Sequence, residues 1–293
     1  MQESGFAARL DPRRRARPTA LQEADTGRAV AAASLTVLAA AFSYALLALL
    51  GPDWTLFAPA NCLASHCFCE AARDGALVLQ PANSWSSFGF ALVGFWIMLP
   101  PGGVAKSGVF SGWLPLWFGL TSVVIGAGSF LMHATLTLWG QFADVLGMYL
   151  LGGFILVYAA QRWLSLPSRA GLALYLALSA LLILLLWAMP EVRRWLFALL
   201  LGAAIVVELM LARPRRPSVQ SVWLGYAVLF CVAAVAIWLL DNSHTHCAPD
   251  APLQGHALWH LLGAISVYCT YRYYRSEDAS PARATSPQRA EHA

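Results

Sequence analysis

The chain has 293 residues, of which 59% are hydrophobic and 12% charged. Soluble domains run at about 45–50% apolar and about 25% charged, so a water-soluble globular enzyme is excluded. The net charge is only +4 and the basic residues form no single aromatic-interleaved patch, which argues against a nucleic-acid partner.

In chain order, residues 1–28 carry Arg13-Arg14-Arg15-Ala16-Arg17 and read as a disordered basic tail. The first apolar run, 29–51, is longer than the 7–15 residues of a signal-peptide core, so it reads as a retained helix. Residues 52–82 read as a loop. Further apolar runs follow at 84–101, 113–133, 141–160, 170–189, 192–211, 221–240 and 256–274. Each is close to the about 20 residues that cross about 30 Å of hydrocarbon. Met189-Pro190-Glu191 makes a tight hairpin between two of them. Residues 276–293, rich in Ser, Ala, Pro and charge, read as a second disordered tail. No β-barrel alternation is present, and only helices or closed barrels satisfy the backbone in lipid. The expected fold is therefore an all-α polytopic membrane bundle.

Basic residues orient it. With the N-terminus inside and the runs alternating, only Arg73, Arg193 and Arg194 fall outside, and the other 16 basic residues fall inside. Inner loops collect Lys and Arg, so both termini are expected on the inner side. Histidines segregate the other way. His66, His133, His244, His246, His256 and His260 fall at the outer face, and only His292 is inside. One lysine (Lys106) among 19 basic residues reads as a GC-rich, bacterial genome. A bacterial inner membrane, with cytoplasmic termini and a periplasmic outer face, is the expected setting.

Three pieces meet at the outer face. Ser129 and His133 are four apart, and so share a helix face. Asp144 opens the next run after the short loop Leu136–Gly140, at the depth of His133. His256 and His260, also four apart, open the last run. Ionisable groups inside a membrane are costly and mark function by default. Three neutral imidazoles suit zinc, and three protein ligands with an open position is the catalytic arrangement. Zinc-protease helices place a Glu base directly after the first His; here position 257 is Ala, which leaves Asp144 as the candidate base. Each piece has a plainer reading. The histidines could bond neighbouring helices. Ser129, after Gly126-Ala127-Gly128, could be one more small packing residue. Asp144 could compensate a helix dipole.

Cys62, Cys67, Cys69 and Cys247 all lie in outer loops. An oxidising space would bridge some of them, but spacing does not choose the pairs. Cys231 and Cys269 read as buried small hydrophobes. Glu208 reads as snorkelling toward the Arg213–Arg216 cluster, and Asp241 as support for the site or an interface residue.

Ser-x-x-x-His, an Asp eleven residues after that His, and a late His-x-x-x-His together resemble the alkaline ceramidase family. That family belongs to a superfamily of seven-helix membrane hydrolases that includes the adiponectin-type receptors. Cys69-Glu70 ahead of the first core helix, Pro81-Ala-Asn-Ser-Trp-Ser86, Leu240-Asp241 followed by Cys247, and Gln254-Gly-His-Ala-Leu-Trp-His260 extend the likeness over roughly residues 67–275. The resemblance implies a seven-helix hydrolase core over 83–275, with 29–51 as one extra N-terminal transmembrane helix. It implies a zinc-dependent hydrolase that cleaves the amide of ceramide-like membrane lipids to a sphingoid base and a fatty acid. Zinc would be held by His133, His256 and His260, with Asp144 and Ser129 catalytic. It pairs Cys69 with Cys247. It also carries a calcium loop, of which only Glu70 matches: Cys67 and Ala72 stand where the family has Asp and Asn, and Gln80 where it has a later Glu. The plainer reading of Glu70 with Asp74 is a solvated loop face. Two other functions compete: a receptor-like sensor with structural zinc, and a lipid esterase of the same superfamily.

Overall fold

The structure, a computed structural model, describes residues 20–51, 53–65, 68–99, 108–212, 219–245 and 247–277. The Arg13–Arg17 run, Lys106, the Arg213–Arg216 cluster and the end of the C-terminal tail lie outside the described residues. The long elements are α1 (Ala20–Leu50), α2 (Pro81–Ser86), α3 (Phe88–Met98), α4 (Trp113–Thr135), α5 (Leu138–Leu164), α6 (Ser168–Ala188), α7 (Arg193–Val206), α8 (Ser221–Asn242) and α9 (Gly255–Arg275). Among the described residues the one extended pairing is an isolated bridge between Pro59 and Thr137. The protein is an all-α multi-pass bundle, with α1 added to a seven-helix core.

Five helices (α1, α4, α5, α6 and α8) are long and apolar enough to cross a membrane. The other three spans are interrupted for visible reasons. α2 and α3 form one span broken at Ser87, whose hydroxyl donates to the carbonyls of Ser84 (2.6 Å) and Gly126 (2.9 Å). α7 passes into a π-helical segment at Val207–Ala212. α9 carries His256, His260, Arg272 and Arg275 among its apolar residues.

Small residues set the spacing of the central helices. α4 packs on α3 and α5. A side chain at Gly128 would strike the Ala143 carbonyl of α5, and one at Gly126 would crowd Ser87 and Ala91, so these two glycines let α4 approach α5 on one side and α3 on the other. Their turn is shorter than the sequence suggested: α4 ends at Thr135 and α5 begins at Leu138. Leu136 turns the chain with a left-handed φ of 50°, and Thr137 caps α5 by accepting the Gly140 N–H. The loop before α2 folds over this turn. The Ala60 N–H bonds to the Leu136 carbonyl (2.9 Å), and the Leu79 and Gln80 N–H groups bond to the Ala134 and His133 carbonyls (3.0 and 3.1 Å).

Three expectations are corrected. Helix α1 starts at Ala20, before the apolar run at 29. Residues 20–28 are mostly good helix formers, and Arg28 bonds the Trp96 carbonyl (Nε, 3.0 Å) while stacking over the Trp96 ring (4.3 Å). Glu208 does not reach outward. It is buried, and accepts from Arg162 Nη1 at 2.9 and 3.1 Å and from the Tyr273 hydroxyl at 3.1 Å. Glu277, placed by sequence in a disordered tail, is buried as well. Its Oε2 accepts from Arg162 Nε (2.9 Å) and Nη2 (2.7 Å).

Desolvating three charges is expensive, so each ion depends on the others. Arg162→Ala strands two carboxylates. The expected loss is about 3–5 kcal/mol, the range for breaking a buried pair from one side, read as a lower unfolding midpoint in detergent. Unfolding at the wild-type midpoint would show that this cluster does not tie the α5, α7 and α9 ends together.

Candidate active site

The last turn of α4 supplies His133, and the first turns of α9 supply His256 and His260. All three are buried. Their ring centroids lie 4.7 Å (133–256), 5.2 Å (133–260) and 4.6 Å (256–260) apart. One nitrogen from each falls within 4.8 Å of the others. His133 Nε2 and His256 Nδ1 have no protein partner. Buried polar atoms are almost always bonded, so two orphaned ring nitrogens facing one point fit a metal ion. Among the described residues no carboxylate or thiolate joins this group.

The outer sides of the rings are held. Gln80 Oε1 faces His133 Nδ1 at 2.9 Å; it accepts the Nδ1 proton, which leaves the Nε2 lone pair free. The Ser86 hydroxyl bonds His260 Nδ1 (2.9 Å), while on the cavity side of that ring Ser129 bonds Nε2 (3.1 Å). The Phe68 ring meets both His133 and His256 edge-on at 4.5 Å. Such bonds to the far ring nitrogen fix the tautomer and ring orientation of a metal ligand.

The loop that delivers these partners is itself anchored. Glu70 is buried. Its two oxygens accept the Ala82 and Asn83 N–H groups at 2.8 Å each, and so cap α2. Burial pushes its carboxyl above the ordinary value, against the pull of those two bonds. Glu70 is thus neither solvated nor adjacent to Asp74 in environment, since Asp74 is exposed. Asp241 accepts the Cys69 N–H (3.2 Å) with one oxygen and the His256 N–H (3.1 Å) with the other. A Cys69–Cys247 disulfide closes the same junction, with Cα atoms 5.4 Å apart. Cys62 is disulfide-bonded too; Cys67, the remaining outer-loop cysteine, lies outside the described residues, as do His66 and His246. His244 sits in an exposed turn away from the rings.

Ser129, Asp144, His256 and His260 line one cavity of about 300 Å³. Asp144 is in side-chain contact with Ser129. From this polar end the cavity runs between α5, α7, α8 and α9 to Thr270, Tyr274 and Glu208. The stretch of α9 from His260 to Tyr274 covers about 21 Å at 1.5 Å per residue, against about 15 Å for the hydrocarbon of one leaflet. The walls are apolar, with Ala198, Leu201 and Ile205 of α7 facing Val228, Cys231 and Val235 of α8. α7 packs on α5 and α8 on α9, and the cavity lies between these two pairs. Sequence reasoning did not single out Phe68 or Ser86 beside the rings, nor the cavity-lining role of Arg193 and Arg194. A stretch of loop and helix with Phe68, Gln80 and Ser86 spaced along it carries no signal of where it folds back.

Comparison with curated proteins gives no match. A family model described as Ceramidase matches residues 77–288, a span that takes in α2 through α9 and every site residue from Gln80 to His260. A bundle of apolar helices around three clustered histidines, matched to this model over most of its length, places the chain in the ceramidase family.

Proposed function

We propose that the protein is a zinc-dependent amidase of the membrane interior, which hydrolyses ceramide-like lipids to a sphingoid base and a fatty acid. The observation that carries this is the pair of orphaned imidazole nitrogens, His133 Nε2 and His256 Nδ1, in a histidine cluster of which His256 and His260 line the polar end of a long apolar cavity. His133, His256 and His260 would hold the ion. Zinc so placed lowers the pKa of water toward about 7 and polarises a carbonyl. Among the described residues the three histidines have no fourth ligand residue, which supports a catalytic over a structural metal.

The chain's own groups account for the rest. The lipid amide comes in between α7 and α8, with its acyl chain along the cavity toward Tyr274. Asp144 accepts a proton from the attacking water and passes it to the leaving amine nitrogen as the C–N bond breaks. The Ser129 hydroxyl donates to the oxyanion that forms on the carbonyl oxygen. Gln80 and Ser86 keep the ring lone pairs of His133 and His260 aimed inward. On the basic-residue asymmetry this face is periplasmic and both termini are cytoplasmic; labelling of the C-terminal tail from outside intact cells would reverse that assignment.

Purified protein is expected to hold about one zinc per chain, the content of a three-ligand catalytic site. Incubated with lipid extract, it is expected to release fatty acid and sphingoid base together, read by mass spectrometry. Full zinc in both His256→Ala and His260→Ala would remove the ligand assignment. Fatty acid without sphingoid base would make the enzyme an esterase. Asp144→Asn keeps shape and hydrogen-bonding reach and removes the proton acceptor. Zinc should stay bound while turnover falls about 10²–10⁴-fold, the usual contribution of acid–base catalysis, and the loss of rate at low pH should vanish with it. Near wild-type turnover in that variant would leave Asp144 without a role as base.

A further inference from the structure

Two arginines border the cavity beside the catalytic groups. On the topology read from sequence only three of the 19 basic residues lie on this face, and Arg193 and Arg194 are two of them. Both line the cavity. They share that lining with Ser129, Asp144, His256 and His260, so both guanidinium groups border the cavity that holds the proposed reacting centre. Arg193 is 7% exposed. It donates to the Pro190 carbonyl at 3.0 Å through Nη1. The Arg194 guanidinium lies 5.8 Å from the Trp238 ring centroid.

Among the described residues neither arginine makes an ion pair; the two that form both belong to Arg162. Glu191, the nearest carboxylate in sequence, is exposed and accepts the Asn61 amide at 2.8 Å. Arg193 is buried and Arg194 half-buried, with Asp144 and Glu191 as the carboxylates that act on Arg193 but not at ion-pair distance, and a guanidinium is shaped for bidentate binding of carboxylate, phosphate or sulfonate oxygens. The Tyr149 hydroxyl bonds the Arg193 backbone carbonyl, not its side chain, so the side chain is not needed for that contact.

We propose that Arg193 and Arg194 form an oxyanion subsite at the cavity mouth, which binds an acidic group carried by the lipid. The group is either a phosphate- or sulfonate-type head on the substrate or the carboxylate of the released fatty acid. The subsite rests on the hydrolase reading for its role in turnover, but not for binding. An acidic head held there lies against the amide, so this enzyme selects anionic lipid amides over neutral ceramide. A carboxylate held there makes the fatty acid a competitive product inhibitor.

The experiment has a binding arm and a turnover arm, both on the full chain in lipid vesicles. In the first, a bromine-labelled fatty acid and the matching bromine-labelled fatty alcohol are compared as quenchers of tryptophan fluorescence, with Trp238 beside Arg194 as the reporter. The acid should bind more tightly than the alcohol. The double variant Arg193→Gln, Arg194→Gln should erase that difference, a loss of about 10-fold or more, as for hydrogen bonds to a charged group. Arg194→Lys, tested alone, should retain part of it. In the second arm, KM and kcat are measured for ceramide and for its 1-phosphate. A lower KM for the phosphate, lost in the double variant, identifies the substrate head as the ligand. Equal KM values with weakened fatty-acid inhibition in the variant identify the product carboxylate. Equal quenching by acid and alcohol in the wild type, or a preference that survives in the double variant, overturns the subsite. If no amide is cleaved at all, the amidase reading fails while the binding arm still decides the subsite.

Discussion

The Asp241 carboxylate holds the site from outside it. One oxygen takes the backbone of His256 and the other takes the backbone of Cys69, so α9 and the loop before α2 share one anchor. The order then passes along the loop. Glu70 caps α2, α2 presents Ser86 to His260, and Gln80 at its start meets His133. The Cys69–Cys247 disulfide reinforces the same junction. Three histidines from two helices are thereby oriented by one loop, whose own backbone is paired with the α4–α5 turn. A carboxylate with both oxygens taken by N–H groups is among the stronger neutral-to-charged arrangements, and it acts on the backbone, so that His133 Nε2 and His256 Nδ1 stay without a protein partner.

The opposite end of the bundle solves a different problem. Arg162, Glu208 and Glu277 are buried together, with Tyr273 completing the shell around Glu208. An aromatic cluster of Phe110, Phe118, Phe154, Tyr158 and Tyr274 packs beside them. The cavity floor at Tyr274 and Glu208 is thus built on ion pairs and stacked rings. The cavity walls are aliphatic by contrast, with small and branched residues on α7 and α8.

Much of this was legible in the residues alone. Membrane spans are local properties of composition, so all eight runs reappear as helix, five of them long and apolar enough to cross a membrane, while Ser87, the π-helical segment at Val207–Ala212 and the polar face of α9 interrupt the other three. Ser129, His133, Asp144, His256 and His260 could be placed at one face because helical spacing and a short turn are also local. The partners of the rings were not legible. Gln80 reaches His133 across 53 positions and Ser86 reaches His260 across 174, and nothing in either neighbourhood encodes that meeting. Glu208 and Glu277 were misplaced for the same reason. Their partner Arg162 is 46 and 115 residues away, and a charge near a chain end or a basic cluster looks solvated until the third helix is in place. Arg193 and Arg194 entered only as a count for orientation, because sidedness is readable from sequence while a cavity wall is not.

Entry of the lipid between α7 and α8, as proposed for this site, has a kinetic corollary. A site reached sideways from hydrocarbon never meets substrate as an aqueous solute. What governs its occupancy is mole fraction within the bilayer and two-dimensional encounter, while water must arrive separately from the polar end. Bulk dilution at constant membrane composition therefore leaves the rate per enzyme unchanged, whereas added inert lipid slows it, and local enrichment of substrate into domains speeds it without any change in the protein.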